Sequence, residues 1–317
     1  MFQTSSHEEY GYAEVPIPRR IRFLFLLCFN IPAIICTVFL LIYLLFKPTI
    51  RKELQNHVII AILFTALVIQ LTDVNFYIVF AEFNHVWSST WSFCAFWNLI
   101  AIGFFNLIAM LLAWAAIERH ILVFHTSLVN TQKKRLIFHY IPLVLTIIYC
   151  LIVRIYSLYF PPCETIYDYT QPWCGYPCFY GVIDFLTYDT IMNYFLTVIC
   201  IVIFNLALII RYIRQRQRFQ REIQWRKYRR MILQLLSVCL LVLIFFIPMV
   251  ALVFAHSVGL PEEIGAEAQL YLYFFNYCIV FLLPFVCLAS YRDIWKKIRI
   301  NLLIQMTNAP QTTQNRQ

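Results

Sequence analysis

The sequence predicts an all-α membrane protein, a seven-transmembrane helix bundle with a short amphipathic eighth helix. Three observations carry this. The chain of 317 residues is 62% hydrophobic and only 13% charged, where a soluble domain has about 25% charged residues. Its apolar residues gather into runs long enough to cross a ~30 Å hydrocarbon core, which takes about 20 residues. Outside those runs its basic residues are confined, with one exception before the first, to alternate connections and the C-terminal segment.

In chain order, residues 1–20 are polar and proline-punctuated, without the basic-then-apolar layout of a cleavable signal peptide. They read as an extracellular N-terminal segment, followed by a first span that acts as its own signal. Apolar runs lie at roughly 21–46, 57–82, 92–124, 136–160, 182–212, 230–257 and 267–290, giving a seven-span domain over 21–290. The runs are continuous rather than alternating, which argues against lipid-facing barrel strands. No amphipathic helices remain to form the outer layer of a soluble protein. Over 291–305, Ile294, Trp295, Ile298 and Leu302 share one helical face and Lys296, Lys297 and Arg299 point away from it. That pattern suits a helix lying in the membrane interface. Residues 306–317 read as a disordered tail.

Orientation follows from the basic residues. Lys47, Arg51 and Lys52 follow span one, Lys133, Lys134 and Arg135 follow span three, and residues 211–230 carry nine basic side chains against the single acid Glu222. The opposite loops hold no Lys or Arg, only acids such as Glu164, Asp168, Glu262 and Glu263. Positive loops face the cytoplasm, so the expected protein is a multi-pass plasma-membrane protein with its N-terminus outside and its C-terminus inside. Arg19, Arg20 and Arg22 are the exception, and the other loops outvote them. The net charge of +9 is therefore mostly topology. No soluble domain is left to bind nucleic acid, whereas the 211–230 segment suits a cytoplasmic extension of spans five and six that meets a protein partner, an anionic-lipid patch or a calmodulin-type target.

Of eleven cysteines, Cys28, Cys36, Cys150, Cys200, Cys239, Cys278 and Cys287 lie within spans and suit apolar packing. Cys94, Cys163, Cys174 and Cys178 lie on the outer face. An even number in an oxidising compartment suggests two disulfides, with three connectivities open.

The inner end of span three carries the most specific signal. An uncharged run, Ala101 to Ile117, ends in Glu118-Arg119-His120. Arg119 stands 25 residues after Cys94, about 37 Å along a helix at 1.5 Å per residue. The Cys marks one end of the span and the Glu-Arg pair the other. This arrangement resembles the rhodopsin-like family of G-protein-coupled receptors, whose third helix starts at a disulfide Cys and ends in Asp/Glu-Arg-Tyr. Trp87 resembles that family's tryptophan in the first outer loop, with Ser89-Thr90 in place of Phe-Gly. Phe245-Phe246-Ile247-Pro248 resembles Cys-Trp-x-Pro, with Phe246 in the Trp place. Leu283-Pro284-Phe285-Val286-Cys287 resembles Asn-Pro-x-x-Tyr with only the proline kept, and Ile294 takes an apolar position of the eighth helix.

The resemblance covers about residues 21–305 and implies a G-protein switch at Glu118, Arg119 and His120, with Arg119 held by Glu118 at rest. The foot of span six, Trp225 to Arg230, has no acid to share that task. The resemblance also implies hinges at Pro248, Pro284 and Phe246, and disulfides Cys94–Cys178 and Cys163–Cys174. Departures narrow the function. Span two lacks the mid-span Asp and Leu283 replaces Asn, so the family's sodium pocket is missing. Span seven has no Lys, which excludes retinal attachment, and no cofactor is expected. Ala101 stands where amine receptors place an Asp, against a biogenic amine bound in the usual way.

Polar residues inside spans are costly and therefore functional candidates. Arg154 is the sharpest, with Asp73, Asp184 and Asp189 as possible partners. It reads equally as a ligand contact, a packing ion pair or a snorkelling side chain. Trp97, Arg154, Tyr273 and Tyr277, with Phe246, form the candidate ligand pocket, although aromatics at this spacing also suit packing. The function expected is a receptor that binds an extracellular ligand and activates a heterotrimeric G protein. The acidic loop PPCETIYDYTQPWCGYPC favours a peptide. The alternative is a transporter or channel, against which stand the scarcity of Gly (six) and the absence of an internal repeat. An enzyme is not expected, because no HExxH pair or converging Ser/His/Asp set occurs, and no metal site is foreseen.

Overall fold

The computed structural model describes residues 15–218, 222–261 and 263–291, with the side chains of 212 and 215–231 outside that description. The expected helix over 291–305, the tail 306–317, most of the 1–20 segment and most of the basic side chains of 211–230 therefore lie outside the described residues. Among those described there is no strand. Seven helices are long and apolar enough to cross a membrane: α1 Arg19–Phe46, α2 Leu54–Phe83, α3 Trp91–Phe124, α4 Gln132–Tyr159, α5 Ile183–Arg211, α6 Ile232–Ser257 and α7 Ala266–Ser290. The chain is a seven-helix bundle of the multi-pass membrane kind.

Helix α3 sits at the centre and packs on α2, α4, α5 and α6, while α1 bridges α2 and α7. The core joins Leu26 and Leu40 of α1, Ile62 of α2, Leu107 and Leu111 of α3, Leu235 and Val238 of α6, and Val280 and Leu283 of α7. The outward faces are equally apolar. Val144, Leu145, Ile148, Ile152 and Ile155 of α4 recur at helical spacing and are all exposed. Such a belt is stable only against lipid, since water would penalise each side chain by about 1.5–3 kcal/mol.

Inside that slab every backbone polar group must find a partner within the protein, and the irregular places show how. Pro284 has no N–H, so the Val280 carbonyl four residues earlier loses its helical donor. The Gln70 amide of α2 donates to that carbonyl at 2.7 Å. Helix α2 itself breaks at Thr72 (φ −115°, ψ −78°). Asn30 of α1 donates to the Gln70 carbonyl at 3.1 Å, and Asn75 donates to the Leu71 carbonyl at 2.9 Å. The break lets the upper part of α2, Asp73–Phe83, turn a carboxylate toward the bundle axis. Wider π-helical turns interrupt α3 at Leu99–Phe104, α4 at Leu136–Tyr140 and α5 at Thr190–Phe195. Two of these three flank the cavity described below, as such turns often do at functional sites.

Gln70→Leu should leave the Val280 carbonyl buried without a donor, at a cost of about 1–3 kcal/mol. The purified protein should melt at a lower temperature, and an unchanged melting temperature would show that the carbonyl is satisfied some other way.

Candidate functional site

Two sites lie at opposite ends of α3. At the disulfide end, the loop between α4 and α5 folds over the bundle. Trp173, Cys174 and Gly175 have φ of 56°, 59° and 75°, a left-handed run that costs a non-glycine residue about 1–2 kcal/mol. Tertiary contacts hold it. Cys174 is bonded to Cys94 of α3, and Cys163 to Cys178, with Cα separations of 5.7 and 6.1 Å. This corrects the expected pairs Cys94–Cys178 and Cys163–Cys174: the left-handed turn aims Cys174 at α3, and the residues flanking it close on each other. Trp173 stacks on Tyr77 with ring centroids 5.1 Å apart, and its carbonyl accepts from Asn98 at 2.7 Å. Asp168 stiffens the turn by accepting from the Thr170 hydroxyl and N–H at 2.6 and 2.9 Å. Those bonds hold its carboxyl below the usual carboxylate range.

Below the loop is a cavity of about 120 Å³, lined by Asp73, Ala101, Phe105, Asn106, Asp189, Tyr194, Phe246, Met249, Tyr273, Asn276 and Tyr277 of the helices and by Trp173, Tyr176 and Tyr180 of the loop. Burial pushes the Tyr180 phenol well above its ordinary value, so it stays neutral. Asp73 is fully buried. One of its oxygens, Oδ1, accepts from the indoles of Trp97 at 2.7 Å and Trp173 at 3.2 Å. Tyr273, Tyr277 and Phe246, three of the residues expected to face an outer cavity, are in this lining.

Trp97 and Arg154, the other two pocket candidates, do not line the cavity. Trp97 is buried behind Asp73. Arg154 makes a two-pronged ion pair with Asp189, at 2.7 and 3.0 Å, and both side chains are about 1% exposed. Asn193 donates to the same carboxylate at 2.6 Å. Asn106, in the amide orientation that satisfies its neighbours, accepts from Arg154 at 3.0 Å. Gly103 makes this crossing possible, because a Cβ there would meet Arg154 Cγ at 3.2 Å. Of the readings open for Arg154, the packing ion pair is the one formed, with Asp189 chosen over Asp73 and Asp184.

At the other end, Glu118 and Arg119 are both buried but do not hold each other. Successive helical side chains diverge by about 100°, so neighbours in sequence do not face each other. Glu118 pairs with His139 of α4. Arg119 donates to the Gln55 side-chain oxygen at 3.0 Å and to the Gln55 carbonyl at 3.2 Å. This corrects the expected lock of Arg119 by Glu118. His139 in turn meets His57 at 2.9 Å, and His57 meets the Arg51 carbonyl at 2.9 Å. Filling these three contacts takes three hydrogens. A carboxylate and two neutral imidazoles supply two, so the chain is complete only with one further proton. Asn56 accepts from the Tyr291 hydroxyl at 3.2 Å. Three consecutive residues of α2 therefore reach α3, the end of α7 and α4.

His120 stands apart from this network and packs against Phe124 and Phe204, with centroids 5.2 and 6.2 Å away. Pro248 lies inside α6, two residues past Phe246. Sequence reasoning missed Gln55, His57 and His139. The available signal was His139 near the start of an apolar run, four residues after the basic run 133–135.

Cys94→Ser or Cys174→Ser should lower surface expression more than Cys163→Ser or Cys178→Ser. Sequence separations of 80 and 15 residues correspond to about 4.5 and about 3 kcal/mol of chain entropy. Non-reducing peptide mapping should recover a Cys94–Cys174 peptide. For the ion pair, Arg154→Gln leaves an uncompensated carboxylate and should destabilise the protein by about 3–5 kcal/mol. Arg154→Gln with Asp189→Asn should recover part of that in a thermal melt, and additive losses would deny the coupling.

Comparison with known families and with curated proteins finds no match: no family model fits the chain and no curated protein matches it.

Proposed function

We propose that the chain is a receptor of the rhodopsin-like, G-protein-coupled kind, which binds a ligand at the disulfide end and activates a heterotrimeric G protein at the Arg119 end. Partition of the basic residues supports the first end outside the plasma membrane and the second in the cytoplasm. One observation carries the reading. The same helix, α3, lines the covered cavity with Ala101, Phe105 and Asn106 and ends in the buried Arg119. A movement of α3 against α2 would break both hydrogen bonds between Arg119 and Gln55 and free the guanidinium for a partner. In this reading Gln55, rather than an acid, holds the arginine at rest, and Glu118 serves to anchor α3 to α4 through His139.

The transporter or channel reading needs a polar route between the two ends. Instead, Leu107, Ile108, Leu111 and Leu112 of α3, Leu235, Val238 and Val242 of α6 and Leu283 of α7 fill the space between them and are buried. The peptide favoured by the acidic loop stays part of the proposal, with its end residue entering under Trp173 and Tyr176.

The test is G-protein activation in cells at matched surface expression. Arg119→Ala should abolish activation. Gln55→Ala should raise ligand-independent activation several-fold, since net hydrogen bonds to a charged group are worth about 1.5–3 kcal/mol. If both variants signal like the unaltered chain, the switch is wrong, and solute flux in vesicles would then favour the transporter.

A further inference from the structure

We infer that the cavity is a site for a ligand bearing an ammonium group, which Asp73 binds through its second carboxylate oxygen. This rests on the receptor reading only in taking the cavity as the ligand site.

The first observation is an incomplete set of hydrogen bonds. Asp73 lies fully buried at the cavity, with Oδ1 shared by two indole N–H groups, the Tyr277 hydroxyl beside the carboxylate, and no N–H donor on Oδ2. A buried carboxylate oxygen with no donor carries its full desolvation cost. Asn276, also in the lining, uses its amide nitrogen on the Met249 sulfur at 2.9 Å and leaves Oδ1 without a donor. Two residues of the lining thus carry buried acceptor oxygens that lack N–H partners.

The second observation is charge. The ionisable groups lining the cavity are Asp73, Asp189 and five tyrosines. Arg154 neutralises Asp189 from behind the wall. Among the described residues, no lysine or arginine lines the cavity. Arg22, on the neighbouring face of α1, bonds the Tyr77 hydroxyl at 3.4 Å and is not part of the lining. Asp73 is then the acid of the lining without a basic partner among the described lining residues, and its acceptor oxygens offer nothing to a carboxylate or phosphate, which brings acceptors of its own. An ammonium supplies three donors and the missing charge at once. The surrounding walls suit it as well, because the faces of Trp173 and Tyr277 attract a cation that comes within about 6 Å.

Size restricts the rest of the ligand. A cavity of about 120 Å³ compares with an engineered one of about 150 Å³ that holds benzene. The body attached to the ammonium is therefore compact and apolar, of the order of one aromatic ring.

The probe is 2-phenylethylamine, compared with 2-phenylethanol and phenylacetate as neutral and anionic isosteres. The readout is saturable thermal stabilisation of the purified full chain. Only the amine should stabilise. Asp73→Asn keeps an acceptor for the two indoles and should weaken amine binding about 100-fold, as expected for removing one partner of a buried charge pair. Phenylalanyl-glycinamide carries the same ammonium on a peptide. Stabilisation by it identifies a peptide N-terminus as the source, and stabilisation by the amine alone identifies a small molecule; both support the site. Equal stabilisation by the alcohol or the acid, no stabilisation by either ammonium compound, or an unchanged amine response in Asp73→Asn would overturn it. The comparison on the unaltered chain decides even where Asp73→Asn does not fold. Binding is read without a G protein, so failure here leaves the Arg119 test standing, and failure of coupling leaves this one standing.

Discussion

The carbonyl of Val280 loses its helical donor to Pro284, and the amide of Gln70 replaces it from the next helix. That bond shows the constraint under which the whole bundle is built, since in hydrocarbon no water stands by to satisfy a stray polar group. It fixes α2 against α7 in one register. Three residues further along α2 is Asp73, so the same register brings the carboxylate beneath Trp173 and beside Tyr277. The break at Thr72 depends on the same economy, because Asn30 and Asn75 accept the task of pairing the carbonyls it frees. A proline in α7, a kink in α2 and the position of the buried acid are one linked arrangement.

Around α3 the polar side chains form separate clusters rather than one continuous network. Asp73 with its indoles lies toward one end, Arg154 with Asp189 and Asn106 beside it, and Arg119 with Gln55 at the other. Apolar layers of α3 and α6 separate the first two from the third. Packed layers of this kind do not deform continuously, so motion at one end is passed on by displacement of the helix as a body.

The fold was legible because length and hydropathy determine it. The run expected at 182–212 is Ile183–Arg211, and that at 230–257 is Ile232–Ser257. Runs two and four begin a few residues before their apolar windows, at Leu54 and Gln132, since a helix continues through polar residues once nucleated. The disulfide pairs were not legible. Spacing among Cys163, Cys174 and Cys178 says nothing about the left-handed turn at 173–175, which decides where Cys174 points. The partner of Arg154 was among those the sequence offered, because Asp189 lies in the facing part of α5. The partner of Glu118 was not, because adjacency in sequence suggested Arg119 and helical geometry forbids it. Trp97 was assigned to the pocket by position along α3, but its indole turns toward Asp73 and away from the space.

The arginine at the end of α3 is tethered by a side-chain amide and a backbone carbonyl of Gln55. An ionic tether weakens when mobile ions screen it, and again when its carboxylate takes up a proton. Neither route is open to an uncharged acceptor. The strength of this one tether is thereby nearly independent of the ionic strength and acidity around it, and is determined by how far the two backbones slide. Such a latch responds to displacement alone, which makes it a mechanical catch rather than a chemical one.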